Sequence, residues 1–248
     1  MNFELDMHTH TIASGHAYGT ITEMAKEAAV RGLKLLGITE HTHHMPGTCN
    51  DLYFVNLRVV PREMYGVRLM LGAELNIMDD QGTTDLPERI MKRLDIRIAS
   101  IHGNLFPPGT IQHNTSAIVN AIKNPAIDII GHPDDSNCPL DYEQIVQASK
   151  EYHTLLEINN NSLRSPSRKN VRENMTVILK LCKKYDVPVI LNSDAHFMTD
   201  IANTDHSMPV VEEADFPKEL IINYSAERFE AYIAENRTRE KAYKESKK

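Results

Sequence analysis

Seven short apolar runs recur along the chain, and their spacing limits the folds open to it more than any other feature. They are Phe3–Met7, Leu35–Thr39, Arg68–Ala73, Ile96–Ile101, Ile127–Gly131, Thr154–Asn159 and Pro188–Ser193. Each has the length and the Ile, Leu and Val content of a strand buried on both faces. Helical patterns lie between them. Thr22–Arg31 carries Met24, Ala25, Ala28 and Ala29 on one stripe, and Thr20 with Glu23 has the spacing of a capping box. Asp141–Tyr152 opens on an N-cap residue, and Val171–Tyr185 places Met175, Ile178, Leu179 and Cys182 at helical spacing. Leu86–Leu94 and Ile111–Lys123 are weaker helical segments. Strand alternating with helix gives parallel α/β architecture, and seven such units in 248 residues predict a closed or nearly closed barrel. A doubly wound open sheet is the alternative, but no Gly-x-Gly-x-x-Gly follows the first strand.

No internal repeat or long Pro/Gly/Ser linker interrupts this pattern, so residues 1–236 read as one domain. Residues 237–248 hold six basic side chains and read as a solvated helix end, with contact to an acidic partner as the alternative. No apolar run is long enough to cross a bilayer, and Met1–Asp6 lacks the basic-then-apolar order of a signal peptide. Cys49, Cys138 and Cys182 are odd in number and form no Cys-x-x-Cys pair. That argues against a disulfide framework or a thiolate zinc site and fits a cytoplasmic location. A net charge of −7 argues against a general nucleic-acid binder.

Histidine is the outlier, at twelve residues. Six of them sit at the C-terminal ends of the apolar runs: His8, His10, His41, His102, His132 and His196. Glu74 and Asp194 occupy equivalent places. In a parallel barrel all these ends converge on one face, so residues far apart in sequence meet around one pocket. His8-Thr9-His10 has the two-residue period of a strand, so both imidazoles leave on one side and can bind one ion. Asp194-Ala195-His196 repeats that spacing on the last strand. His16 follows Gly15, whose freedom at positive φ would let the loop turn back over the pocket. Seven histidines and two carboxylates exceed the three or four ligands of a single catalytic ion, so the set implies two or three. Imidazole-rich ligation favours zinc, with manganese or iron as alternatives, over magnesium or calcium. His43 and His44 are assigned at most a supporting or lid role, and His113, His153 and His206 surface positions.

Asp6-Met7-His8-Thr9-His10-Thr11, Thr39-Glu40-His41, Gly72-Ala73-Glu74, Ser100-Ile101-His102, Gly131-His132-Pro133 and Asn192-Ser193-Asp194-Ala195-His196 together resemble the polymerase and histidinol phosphatase (PHP) family. The segment Asp6–Tyr18 is most similar to its stand-alone phosphatase branch. The resemblance implies a distorted TIM-like (β/α)7 barrel holding three divalent ions. By that analogy His8, His10, Glu74 and Asp194 hold one ion. Glu74, His102 and His132 hold a second, with Glu74 bridging, and His16, His41 and His196 hold the third.

The expected activity is hydrolysis of small phosphomonoesters by a metal-bound hydroxide, with Glu74, Asp194 and His102 acting through the ions they hold. Arg164 and Arg168, beyond the sixth strand, are the candidate phosphate clamp. The partner expected is a small phosphorylated substrate, with no membrane, and a homo-oligomer is compatible with the sequence. Three rivals stand beside this reading. A nuclease acting on single-stranded ends is disfavoured by the acidic chain. A metal-dependent amidohydrolase commonly has a carboxylated lysine on a middle strand, where this chain has His102. A non-enzymatic metal-binding protein has no use for open coordination positions.

Overall fold

The computed structural model describes residues 3–247. Its strands follow the apolar runs: β1 Leu5–Asp6, β2 Leu35–His41, β4 Val67–Asn76, β5 Ile96–Ser100, β6 Ile129–Ile130, β7 Leu155–Asn159 and β8 Val189–Asn192. These seven pair in parallel in the order β1-β2-β4-β5-β6-β7-β8, and a short β3, Glu63–Met64, pairs antiparallel with β4. Past the named ends of β1 and β8, a single parallel bridge between Thr9 and Ala195 brings the first and last strands together. The result is a nearly closed, TIM-like barrel in one domain, as the alternation of strand and helix required.

Helices α1 Ile21–Val30, α2 Asp51–Asn56, α3 Glu88–Met91, α4 Ile111–Ile122, α5 Tyr142–Tyr152, α6 Val171–Tyr185, α7 Ser207–Glu213 and α8 Ala226–Ser246 complete the described residues. The Thr20–Glu23 capping box forms: the Glu23 amide donates to Thr20 Oγ1, and the Thr20 amide to Glu23 Oε2 at 2.8 Å. α3 is shorter than the apolar pattern over Leu86–Leu94, starting only after Pro87. β1 and β6 are also shorter than their apolar runs. Backbone N–H groups just past them turn to side chains instead of a neighbouring strand: Met7 donates to Asn192 Oδ1 and His132 to Glu157 Oε2.

Two apolar layers result. Side chains pointing outward from the strands pack against the surrounding helices. Inside the barrel Leu5, Met7, Met70, Ile98, Ile129 and Ile190 pack against Phe229 and Ile233 of α8, which closes the N-terminal end. α8 crosses the boundary expected at residue 236 without a break. Arg237 forms a two-pronged ion pair with Asp128 (2.7 Å on each prong), and Glu240 reaches the fully buried Arg97 at 3.0 Å. Arg237 and Glu240, at the start of the segment read as a solvated helix end, therefore turn inward onto the barrel floor, while residues 241–247 stay mostly exposed. Met1, Asn2 and Lys248 lie outside the described residues. Among those described, no helix is long and apolar enough to cross a membrane.

Candidate metal centre

The polar residues at the C-terminal strand ends gather around Glu74. In-register pairing of β2 with β4 sets His41 beside Glu74, and His41 Nδ1 lies 2.7 Å from Glu74 Oε2. His8 Nε2 and His10 Nε2 stand 3.4 and 3.6 Å from the same oxygen. Glu74 Oε1 faces His132 Nε2 at 2.8 Å and His102 Nε2 at 3.4 Å. Asp194 Oδ1 lies 3.3 Å from His10 Nε2, 3.5 Å from His196 Nδ1 and 3.7 Å from His8 Nε2. Three overlapping triads place one donor atom from each member within 4.8 Å of the others: His8–His10–Asp194, His41–Glu74–His102 and His10–His41–His196. His16 joins no triad, but its ring lies 4.9 Å from that of His41 and 5.0 Å from that of His196. All nine residues marked from the sequence thus share one pocket rim, with His41 placed nearer to Glu74 and His102 than the family analogy implies.

His8 Nε2, His10 Nε2, His41 Nδ1 and Glu74 Oε2 are buried and have no hydrogen-bond partner. Buried polar atoms are nearly always paired, so four such atoms converging is an anomaly that a cation resolves. The donor chemistry fits a group of divalent ions, because lone pairs face lone pairs.

Buried residues that sequence reasoning did not single out orient these donors. Glu157, on β7, accepts His8 Nδ1–H at 2.7 Å and also the His132 amide and the amide groups of Asn159 and Asn192. Ser14 Oγ accepts His10 Nδ1–H at 3.0 Å and donates to Glu40. Asn76 Oδ1 accepts His102 Nδ1–H at 2.7 Å, while its amide donates to Asp85. His196 Nδ1–H donates to the Asp194 carbonyl. In each case the proton is fixed on Nδ1, leaving Nε2 as the donor atom, the arrangement that metal-binding imidazoles use. A carboxylate in the middle of a strand buried on both faces, such as Glu157, must be paired, and that was the signal available in the sequence.

Two site residues hold strained backbone: His132 at φ 31° and Asp194 at φ 53°. Each costs on the order of 1–3 kcal/mol for a non-glycine residue, a cost retained where the side chain must be aimed. Gly15 caps a 3-10 turn (Ile12–Ser14) at φ 81°, and a Cβ there would lie 2.1 Å from the Gly47 carbonyl oxygen. The turn back over the pocket thus requires glycine on both counts.

Burial alone would push the His8 imidazole down, but Glu157, Glu74 and Asp194 together outweigh it and raise its pKa well above the usual range. His10, buried beside His41, is pressed well below it. Glu74 and Asp194 lie well below the usual carboxylate range, because His8 and the other facing imidazoles outweigh their desolvation.

The two arginines diverge. Arg164 is largely exposed and ion-paired to Asp200 at 3.0 Å. Arg168 lines a cavity together with His102 and His132, donates to Ser162 Oγ and lies 3.5 Å from Asp134. Desolvation raises the buried Asp134 carboxyl to about 7. His43 Nδ1 faces Asp51 at 2.9 Å, and His44 Nδ1 faces Asp85 at 3.3 Å. His113 stacks on Phe106, and the His206 amide donates to Asn160. His153 is more than a surface group: it caps α5 at φ 61°, stacks on Tyr232 and bonds Asn236, tying α5 to α8.

Comparison with known proteins bears on this geometry. Residues 6–187 match the PHP domain family. A probable phosphatase of Caldicellulosiruptor saccharolyticus is 49% identical over 233 residues, 94% of this chain and 97% of the relative. One from Clostridium novyi is 48% identical, covering 94% and 95%. Among solved structures, histidinol phosphate phosphatase from Lactococcus lactis, crystallised with zinc, L-histidinol and phosphate, superposes with a TM-score of 0.58 at 16% identity. It covers 88% of this chain and 95% of that one, and at such identity the likeness concerns the fold.

Proposed function

The chain belongs to the PHP domain family, and on that premise we propose that it is a metal-dependent phosphatase acting on small phosphomonoesters. The observation that carries the reading is the convergence of His8 Nε2, His10 Nε2, His41 Nδ1 and Glu74 Oε2, buried and unpartnered, at the barrel mouth, with Arg168 lining the cavity that adjoins His102 and His132. The probable-phosphatase relatives support it.

His8, His10, His16, His41, Glu74, His102, His132, Asp194 and His196 would hold three divalent ions, zinc foremost, with manganese or iron as alternatives. Divalent ions there supply positive charge for phosphate oxygens and lower the pKa of water towards about 7. The protein's own groups do the rest. Glu157, Ser14 and Asn76 hold the imidazoles in one tautomer and orientation, so the donors need no rearrangement during turnover. Arg168, oriented by Ser162 and Asp134, is placed to take phosphate oxygens. Arg164 is committed to Asp200 and is the weaker candidate. In the net reaction water oxygen bonds to phosphorus, the ester P–O bond breaks, and the alcohol leaves with a proton from water.

Acidic composition supports a small phosphorylated partner over a polynucleotide, and three free cysteines support a cytoplasmic location. The decisive test compares phosphate release from phenyl phosphate with cleavage of a single-stranded oligonucleotide by zinc-loaded protein. Faster turnover of the small ester is expected, and preference for the oligonucleotide would overturn the reading.

A further inference from the structure

We propose that the cavity beyond β5 and β6 receives the leaving group of the ester and selects short, compact alcohols with an apolar body and one hydrogen-bond donor. The inference rests on the phosphatase reading, and it concerns which ester is taken rather than whether one is.

The cavity measures about 220 Å³ and begins at the centre itself, where His102, His132 and Arg168 form part of its lining. A phosphate held between the imidazole cluster and Arg168 would have its ester oxygen facing this space. Ile101, Pro108, Ile118 and Leu140 give it an apolar wall. Away from the centre, Asp135 and Asn137 are polar members of its lining, with Asn104 and Ser167. Asp135 Oδ1 is taken by the amides of Asn137 and Lys169, at 2.9 and 3.0 Å. Oδ2 receives only a long 3.3 Å contact from Asn137 Nδ2, so it can accept from a bound hydroxyl or amine. Pockets for drug-sized ligands begin near 300 Å³, so a nucleoside is too large for this one. A cavity of about 740 Å³ beside α8 is roomier, but it touches none of the candidate donors.

The test uses the zinc-loaded protein with glycerol phosphate, phenyl phosphate and a nucleoside 5′-monophosphate. Wild type should favour the first two by about tenfold or more in kcat/KM, the discrimination that a fitted pocket gives. Leu140→Trp should lower kcat/KM for phenyl phosphate by about tenfold relative to glycerol phosphate, and Leu140→Ala should narrow the gap to the nucleotide. Should Leu140→Trp fail to fold, Asn137→Ala at an exposed position takes its place, raising KM for glycerol phosphate more than for phenyl phosphate. Uniform rates across the series, unmoved by the variants, overturn the pocket and leave the phosphatase reading standing. No phosphate release from any ester overturns that reading and the pocket with it.

Discussion

At the N-terminal end of the barrel, buried Arg97 and half-buried Arg237 face Asp128 and Glu240, two cations against two anions, and Lys244 holds Glu240 from outside at 2.6 Å. At the C-terminal end, imidazole nitrogens and carboxylate oxygens are buried too but face one another. Opposite charges meeting inside one protein form a clasp. Like-tempered lone pairs meeting there are a socket. The clasp carries its own permanent cations, whereas the socket must borrow positive charge from protons or metal ions.

Stripping metal tests the socket most severely. Chelation should abolish phosphate release by at least about 10³-fold, and zinc should restore it, because the acidified water is lost with the ions. His102→Ala or Asp194→Ala should do the same and lower metal content measured on folded protein; normal hydrolysis with a depleted site would refute the assignment. For the clasp, Arg97→Met leaves Asp128 and Glu240 short of a partner and should cost about 3–5 kcal/mol in denaturant unfolding. Metal content per folded molecule should not change. If it falls, the two ends are coupled and the contrast fails.

Glu157→Gln should weaken zinc binding by about 10–100-fold in a chelator competition, since it removes the negative charge and leaves one oxygen where His8 and the His132 amide now take two. Arg168→Ala should raise KM by about tenfold, whereas Arg164→Ala should stay within about threefold, because only Arg168 lines the cavity.

The smallest effect is in pH dependence. In metal-free protein the raised His8 pKa gives stability that is fully present below the ordinary value of 6.5 and lost as pH rises through the folded value. The depressed Glu74 and Asp194 pKa values give stability present above the ordinary carboxylate range and lost as pH falls through their folded values. His10, pressed well below 6.5, adds stability that is present above that value and lost as pH falls. Metal-free protein should therefore peak near pH 6.5, between the His10 and His8 limbs. Zinc-loaded protein should shift that peak upward, since metal and protons compete for the same atoms. Equal peaks in thermal melts of the two forms would count against a shared site.

The strands were legible because each is an apolar run ending in a polar residue, and barrel topology then brings those ends together. Glu157 and Asp85 were hidden for the opposite reason. Neither stands in a motif, and only the folded register shows that Glu157 reaches His8 across the barrel. The end of α8 is a largely solvated helix, as its charges on all sides imply, and only the folded barrel shows that Arg237 and Glu240 find inward partners in Asp128 and Arg97. The positive φ of His132 and Asp194 left no trace in the sequence, since neither residue is glycine.

The lone bridge between Thr9 and Ala195 carries a consequence for biosynthesis. His8 and His10 lie on one side of that seam, and Asp194 and His196 on the other. A growing chain exposes its first two imidazoles almost at once, yet the carboxylate that completes their triad arrives only after nearly the whole barrel has been made. The socket cannot assemble on a partial chain, so metal loading reports on a finished one, and ions seated across the seam would rivet the first strand to the last.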